Sequence, residues 1–128
     1  MPTPDSIRDA VAAYARLFND GDREAWLDHW AADATLEDPV GTPVRTGRAE
    51  IGEFWDLAHS LAQGIELQVL EPFKVAGNEA AFVLRIVTDL GDTKMFVDVI
   101  EIQRYDEDGK LAAMRAFWSP EEMAPYGG

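Results

Sequence analysis

Residues 95–118 read MFVDVIEIQRYDEDGKLAAMRAFW, and the fold turns on this stretch. Two alternating runs, Met95 to Tyr105 and Leu111 to Trp118, flank Asp106-Glu107-Asp108-Gly109, a polar cluster ending in glycine. That is the pattern of two antiparallel strands joined by a hairpin loop. In the first run Met95, Val97, Val99, Glu101 and Gln103 share one face; Phe96, Asp98, Ile100, Ile102 and Arg104 share the other. Closing the hairpin with Tyr105 opposite Lys110 sets Val97 against Trp118, Val99 against Ala116 and Glu101 against Met114. Glu101 then sits among Val99, Met114, Ala116 and Trp118, while Arg115 points to the opposite face, near Asp98 and Ile100.

Upstream, Phe82 to Thr88 follows the turn signal Gly77-Asn78, and Ile65, Leu67 and Val69 alternate with Glu66 and Gln68, so two more strands precede the hairpin. The first half reads as helices. Thr3-Pro4 offers a cap and a first-turn proline, and Ile7, Ala10, Val11, Tyr14, Leu17 and Phe18 recur at helical spacing until Asn19-Asp20-Gly21. Asp22 caps a second short helix with Trp26, Leu27, Trp30 and Ala31 on its apolar face and His29 on the solvated side. Thr46-Gly47 opens a third, in which Ile51, Phe54, Trp55, Ala58 and Leu61 share a face. Three helices followed by a meander of strands predict an α+β fold, with helices packed on one face of a curved, mostly antiparallel sheet. Nothing repeats and no linker intervenes, so residues 1–128 read as one domain, with 119–128 a loose C-terminal tail.

With 128 residues and 47% hydrophobic content, the chain is long enough for one core that buries roughly two thirds of its unfolded surface. Twenty-four acidic against 11 basic residues give a formal charge of −13, which repels phosphate backbones and anionic lipid; neither nucleic acid nor a membrane is an expected partner. There is no cysteine, and no pair of histidines has metal-ligand spacing, so no metal is expected. No signal-like or membrane-spanning run is present, which fits a soluble cytoplasmic protein.

The chemistry centres on Ala34-Thr35-Leu36-Glu37-Asp38-Pro39-Val40-Gly41. As a strand over 34–38, it puts Ala34, Leu36 and Asp38 on one side, and Pro39 ends the ladder just as the Asp38 carboxylate is presented. A carboxylate held there against apolar surface can serve as a proton-transfer base; the same letters also suit a turn-capping Asp. Glu101, with no cation on its face, resists ionisation in apolar surroundings and as a neutral acid could donate a hydrogen bond; a strand-end Glu reaching solvent is the other reading. A buried Tyr14 phenol needs a hydroxyl partner. An ionised Asp38 as base, Tyr14 and a protonated Glu101 as donors to one oxygen, and walls of Trp30, Trp55, Leu84, Ile86, Val99, Met114 and Trp118 make the equipment for moving a proton beside a carbonyl. That chemistry requires no cofactor.

Taken together, Asn19-Asp20-Gly21-Asp22, Ala32-Asp33-Ala34-Thr35-Leu36-Glu37-Asp38-Pro39-Val40-Gly41, Asn78-Glu79-Ala80-Ala81-Phe82 and Met114-Arg115-Ala116 resemble the delta-5-3-ketosteroid isomerases of the nuclear transport factor two-like (SnoaL-like) superfamily. The resemblance covers most of residues 4–118. It implies that Asp38 carries a proton from steroid carbon 4 to carbon 6 and that Tyr14 is the principal oxyanion donor. It also implies that Glu101 stands where the family has a protonated aspartic acid. Glutamate adds one methylene, and oxyanion donors work at about 2.7–3.1 Å, so the donor must be re-placed here. Trp55 stands where some members have a tyrosine bonded to Tyr14, and Trp30 where a supporting tyrosine can lie, which implies a thinner Tyr14 network. The resemblance further implies a cone-shaped sheet around the pocket, a steroid or similar small apolar ketone as substrate, and a homodimer. The apolar face of Phe96, Ile100, Ile102, Val83, Val87 and Phe117 argues for a partner chain independently. Two other readings fit the scaffold: a polyketide cyclase, dehydratase or epoxide hydrolase, and a non-catalytic carrier of an apolar ligand. Epoxide opening wants an arginine between two carboxylates, and Arg85 and Arg115 are expected to face outward.

Overall fold

The computed structural model describes residues 2–127. Helix α1, Pro4–Asp20, begins where Thr3 and Ser6 exchange side-chain-to-backbone hydrogen bonds of 2.8 and 3.1 Å and ends at Gly21, whose φ of 73° closes the helix in the left-handed region. Helix α2, Arg23–Asp28, starts under the Asp22 carboxylate, which accepts from the Ala25 amide at 3.2 Å. Helix α3 is Gly47–Ser60. The strands are β1, Trp30–Glu37; β2, Arg45–Thr46; β3, Gly64–Ala76; β4, Glu79–Asp89; β5, Lys94–Tyr105; β6, Leu111–Phe117; and β7, Ala124–Pro125.

They form a curved, unclosed sheet in the order β2-β1-β6-β5-β4-β3, with β7 on β5; β1 and β6 run parallel and the remaining pairs antiparallel. Helices α1 and α3 pack against it, and the core is an aromatic cluster of Tyr14, Phe18, Trp26, Trp30 and Trp55 against Leu36, Phe82, Leu84, Val99 and Met114. The expected α+β class, with three helices on the concave face, is the one observed. One tie fixes α1 to the outermost strand: the Asn19 side-chain amide donates to the Leu67 carbonyl at 2.9 Å and accepts from the Leu67 N–H at 2.7 Å.

Several details depart from the expectations. Trp30 and Ala31 do not extend α2; the helix stops at Asp28 and both residues begin β1. The hairpin register is displaced by two. Asp106 holds a wider loop, accepting from the Asp108 and Lys110 amides at 2.9 Å, so Tyr105 pairs with Leu111. Ala112 then bulges, and Glu101 faces Ala116 instead of Met114. A shift of two preserves the face of every side chain, which is why Glu101 still points inward. Arg115 does point outward but bonds Glu37 at 3.1 Å, and it is Arg85 that takes Asp98, at 2.7 and 3.0 Å. The segment after Ser119 is docked, not loose: Pro120–Glu122 makes a 3-10 turn and Ala124–Pro125 pairs with Met95 and Phe96. Gly128, the last residue of the expected tail, lies outside the described residues. Val87 is buried, and Phe96 is covered by Tyr126 and the Arg85 guanidinium, which leaves Ile100 and Phe117 as the exposed large side chains of the outer face.

Candidate functional site

Asp38 lies one residue past the end of β1, on the side of the buried Ala34 and Leu36. The turn behind it is bonded to itself and to the sheet. The Val40 N–H donates to the Ala116 carbonyl at 2.8 Å, Thr42 donates through its amide and hydroxyl to the Pro39 carbonyl, and the Gly41 N–H donates to Glu37. Those bonds leave the half-buried Asp38 carboxylate facing a hollow. Its Oδ1 accepts the Trp118 indole N–H at 2.6 Å. Burial pushes the Asp38 carboxyl up from its ordinary value, and the Trp118 donor partly opposes that rise by favouring the charged form.

Glu101, on the inner face of β5, is 1% exposed. Burial and then the neighbouring Asp38 charge push its carboxyl up to about 8, against the lowering effect of a 2.7 Å hydrogen bond from the Gln103 amide. The two acids are therefore unequal. Asp38 has an N–H donor and partial access to water, so it ionises first, and its charge then helps to keep the proton on Glu101. Tyr14 reaches the same hollow from α1. Its phenol is held well above the usual range by burial and by the Glu101 and Asp38 charges, so it stays a donor, and it points at the Met114 sulfur at 3.2 Å. A thioether is a weak acceptor.

These three groups line one cavity of about 200 Å³ together with Phe18, Phe54, Leu57, Ala58, Leu61, Ile65, Leu67, Leu84, Ile86 and Trp118. Everything beyond Tyr14, Asp38, Glu101 and the Trp118 N–H is an apolar wall. A second hollow of about 440 Å³ shares Asp38, Phe54 and Leu57 with the first and continues past Thr42, Pro43, Val44 and Arg45. The inner hollow alone falls short of the roughly 300 Å³ at which ordinary small-molecule pockets begin, so a polycyclic ligand would extend over Phe54 and Leu57. Among the described residues, no group of three His, Asp or Glu side chains is placed to hold a metal ion.

Of the residues read from sequence as site residues, Tyr14, Asp38, Glu101, Leu84, Ile86 and Trp118 meet in this cavity, and four do not line it. Trp30 and Val99 are fully buried in the core. Trp55 packs between Phe18 and Trp26, with His59 stacked on it at 3.9 Å. Met114 stands behind the Tyr14 hydroxyl. The walls that the sequence did not single out are Phe18, Phe54, Leu57, Ala58, Leu61, Ile65 and Leu67. Most belong to apolar stripes legible in α1, α3 and β3, but the stripe alone does not say which end faces a hollow and which a neighbour. His29 is also misplaced by the helical wheel: it is half-buried, its Nε2 is 3.2 Å from the Tyr105 hydroxyl, and burial with the Lys110 charge lowers it to about 4.

The pattern of the SnoaL-like domain family matches residues 11–114. A steroid delta-isomerase of Nocardioides simplex is 40% identical over 117 residues, which span 91% of this chain and 93% of that protein. Among solved structures, the epoxide hydrolase/cyclase-like enzyme SalBIII, described for pyran ring formation in the polyether salinomycin, superposes with a TM-score of 0.89 at 25% identity, covering 98% of this chain and all of its own. RV0760c of Mycobacterium tuberculosis superposes with a TM-score of 0.86 at 23% identity over 98% of this chain and 100% of its own, a likeness of fold.

Proposed function

The chain belongs to the SnoaL-like domain family, and from that premise we propose that it is a steroid delta-isomerase, shifting the double bond of a 3-oxo-delta-5-steroid into conjugation with its ketone. The observation that carries the reading is the meeting of two unequal carboxyls with a neutral phenol in one apolar cavity: Asp38, half-buried and raised by burial but bonded by the Trp118 N–H, and Glu101, wholly buried and pushed up to about 8. Asp38 takes the proton from carbon 4. Negative charge moves onto the ketone oxygen, and Tyr14 and Glu101 donate to it as the dienolate forms. Asp38 then returns the proton at carbon 6. Breaking one C–H bond and making another through the same carboxylate leaves no net change in oxidation state and consumes no co-reactant. The Tyr14 hydroxyl gives up only a thioether to reach the ligand oxygen, so redirecting it costs little.

Conjugation raises ultraviolet absorbance. Purified protein with 5-androstenedione should show that rise at a rate proportional to enzyme, and no rise with either 5-androstenedione or 5-pregnenedione removes the steroid assignment. The 0.89 superposition on SalBIII supports a second reading, acid-assisted ring closure onto an epoxide, with Glu101 protonating the opening oxygen and Asp38 taking the hydroxyl proton. Against it, Arg85 and Arg115 are engaged outside the cavity by Asp98 and Glu37. Turnover of an epoxy-alcohol but not of the steroid would favour it. Saturable binding of a phenolic steroid without exchange of the ketone's alpha protons would instead indicate a carrier. The exposed Ile100 and Phe117 support a homodimer through the outer sheet face, which light scattering tests.

A further inference from the structure

Strand β5 buries three polar side chains in succession on its inner face: Glu101, Gln103 and Tyr105, at 1%, 0% and 1% exposure. The proposed chemistry uses only the first. A fully buried amide is costly unless both of its ends are bonded, and Gln103 has both bonded: its Nε2 donates to Glu101 Oε2 at 2.7 Å, and its Oε1 accepts from the Tyr105 hydroxyl at 2.6 Å. The Tyr105 oxygen in turn lies 3.2 Å from His29 Nε2, at the end of α2. Four side chains from two elements thus form one line that starts at the pocket acid and leaves the pocket.

Such a line has a direction. A phenol carries one proton, and Tyr105 gives it to Gln103, so the His29 nitrogen must donate to Tyr105 and the Gln103 amide must turn its N–H toward Glu101. With the opposite direction, Gln103 would offer Glu101 its carbonyl oxygen, and the carboxyl proton would be spent inside the protein. With the observed direction, Oε2 of Glu101 is occupied as an acceptor, and the proton on Oε1 has no partner among the described residues.

The geometry points to His29, Tyr105 and Gln103 as positioning residues that orient this chain, so that Glu101 presents its acidic proton to the ligand oxygen in the cavity. The inference rests on the reading of Glu101 as an oxyanion donor. Among the described residues, the titratable groups facing Glu101 are Asp38 beyond β1, Tyr14 from α1 and Tyr105 from its own strand; those facing His29 are Tyr105, Tyr14, whose ring lies 6.2 Å away, and, from the hairpin, Lys110.

The decisive measurement needs no turnover. In protein labelled with carboxyl-13C glutamate, the Glu101 signal is identified by its loss in Glu101→Gln, and its titration is followed in wild type, Tyr105→Phe and Gln103→Leu. Tyr105→Phe frees the amide to turn its oxygen to the acid, and Gln103→Leu removes a donor to the anion. Each should raise the Glu101 midpoint by about one pH unit. His29→Gln, which retains a donor for Tyr105, should hold the wild-type midpoint. A structural role alone would let water in and move the midpoint down, toward the ordinary value near 4.5. A midpoint that falls or stays put in whichever of Tyr105→Phe and Gln103→Leu folds, judged by circular dichroism, overturns the inference. In the steroid assay Tyr105→Phe should lower kcat at least about tenfold at pH 7 with KM within about twofold, the loss of a transition-state donor. If the midpoints rise while wild type turns over no steroid, the oriented chain stands and the isomerase reading falls; if wild type turns over and the midpoints do not rise, the reverse holds.

Discussion

The Trp118 indole and the Asp38 carboxylate, placed at the ends of two adjacent parallel strands, meet in a 2.6 Å hydrogen bond at the edge of the cavity. That bond favours the charged form of a carboxyl whose burial otherwise raises it. Trp118→Phe keeps an aromatic wall and removes the donor, so the Asp38 midpoint should rise. A hydrogen bond to a charged group is worth about 1.5–3 kcal/mol, which is about one pH unit or more. If Asp38 is the base proposed above, which must be ionised to act, the acid limb of kcat/KM should move up in pH and the loss should be largest at low pH. A steady-state pH profile measures it, and an unmoved limb would deny the bond any part in setting the base.

On the proposed role, Asp38→Asn should lower kcat by roughly 10³-fold or more, since among the described residues the cavity's other carboxyl, Glu101, is wholly buried. Tyr14→Phe should cost roughly 10²–10³-fold and leave a residue, because Glu101 remains as a donor. Initial rates of the absorbance change compare the two; equal, small losses would contradict the assignments.

Stability should carry the signature of Glu101. Its folded value of about 8 lies above the ordinary 4.5, so between those values the folded state holds a proton that the unfolded state has released. The stabilising contribution is therefore complete below the unfolded value and is lost as pH rises through the folded one. His29, lowered to about 4, acts with the opposite sign and weakens the fold as pH falls below about 6.5, so the clean window lies above that. From pH 6.5 to 8 wild type should lose about 1.5–2 kcal/mol relative to Glu101→Gln. Urea midpoints at several pH values read the slope difference, and parallel curves would mean that Glu101 is ionised throughout.

Apolar residues at and behind the cavity wall are of two kinds. Leu61 lines the cavity but is 69% exposed, whereas Val99 is wholly buried and does not line it. Leu61→Asp should raise KM several-fold and change stability by no more than about 0.5 kcal/mol. Val99→Ala should cost about 1–3 kcal/mol with KM near wild type. Thermal melts and saturation curves on both variants would expose a reversed pattern.

The elements with chemical punctuation were legible from the letters. Thr3-Pro4 and Gly21 bracket α1 as expected, Thr46-Gly47 opens α3, and the alternation in β5 aimed Glu101 inward. Parity protects such a reading, which is why a two-residue error in the hairpin left the acid on the correct face. The bulge itself was hidden because Ala112 and Ala113 suit either face of a strand. The spacing predicts Trp30 on a helix because it stands four residues after Trp26, but the helix ends at Asp28, and that early end also turns His29 inward. The Gln103 and Tyr105 chain was written on the Glu101 face all along. Alternation puts all three on one face but does not say that this face is closed over as far as Tyr105, and only that closure leaves them one another as partners.

Asn19 bears on how this molecule tolerates crowding. Strand β3 closes the row at the far side, and an uncovered strand there could recruit the same segment of another copy and grow without limit. At Leu67 the vacant rung is already filled by the Asn19 amide, which supplies one acceptor and one donor as a next strand would. Further along, Pro72 has no N–H to offer. The side chain near the end of α1 therefore stands where a neighbouring strand would bond at Leu67, so a second copy adding to β3 beside the cavity would forfeit that rung.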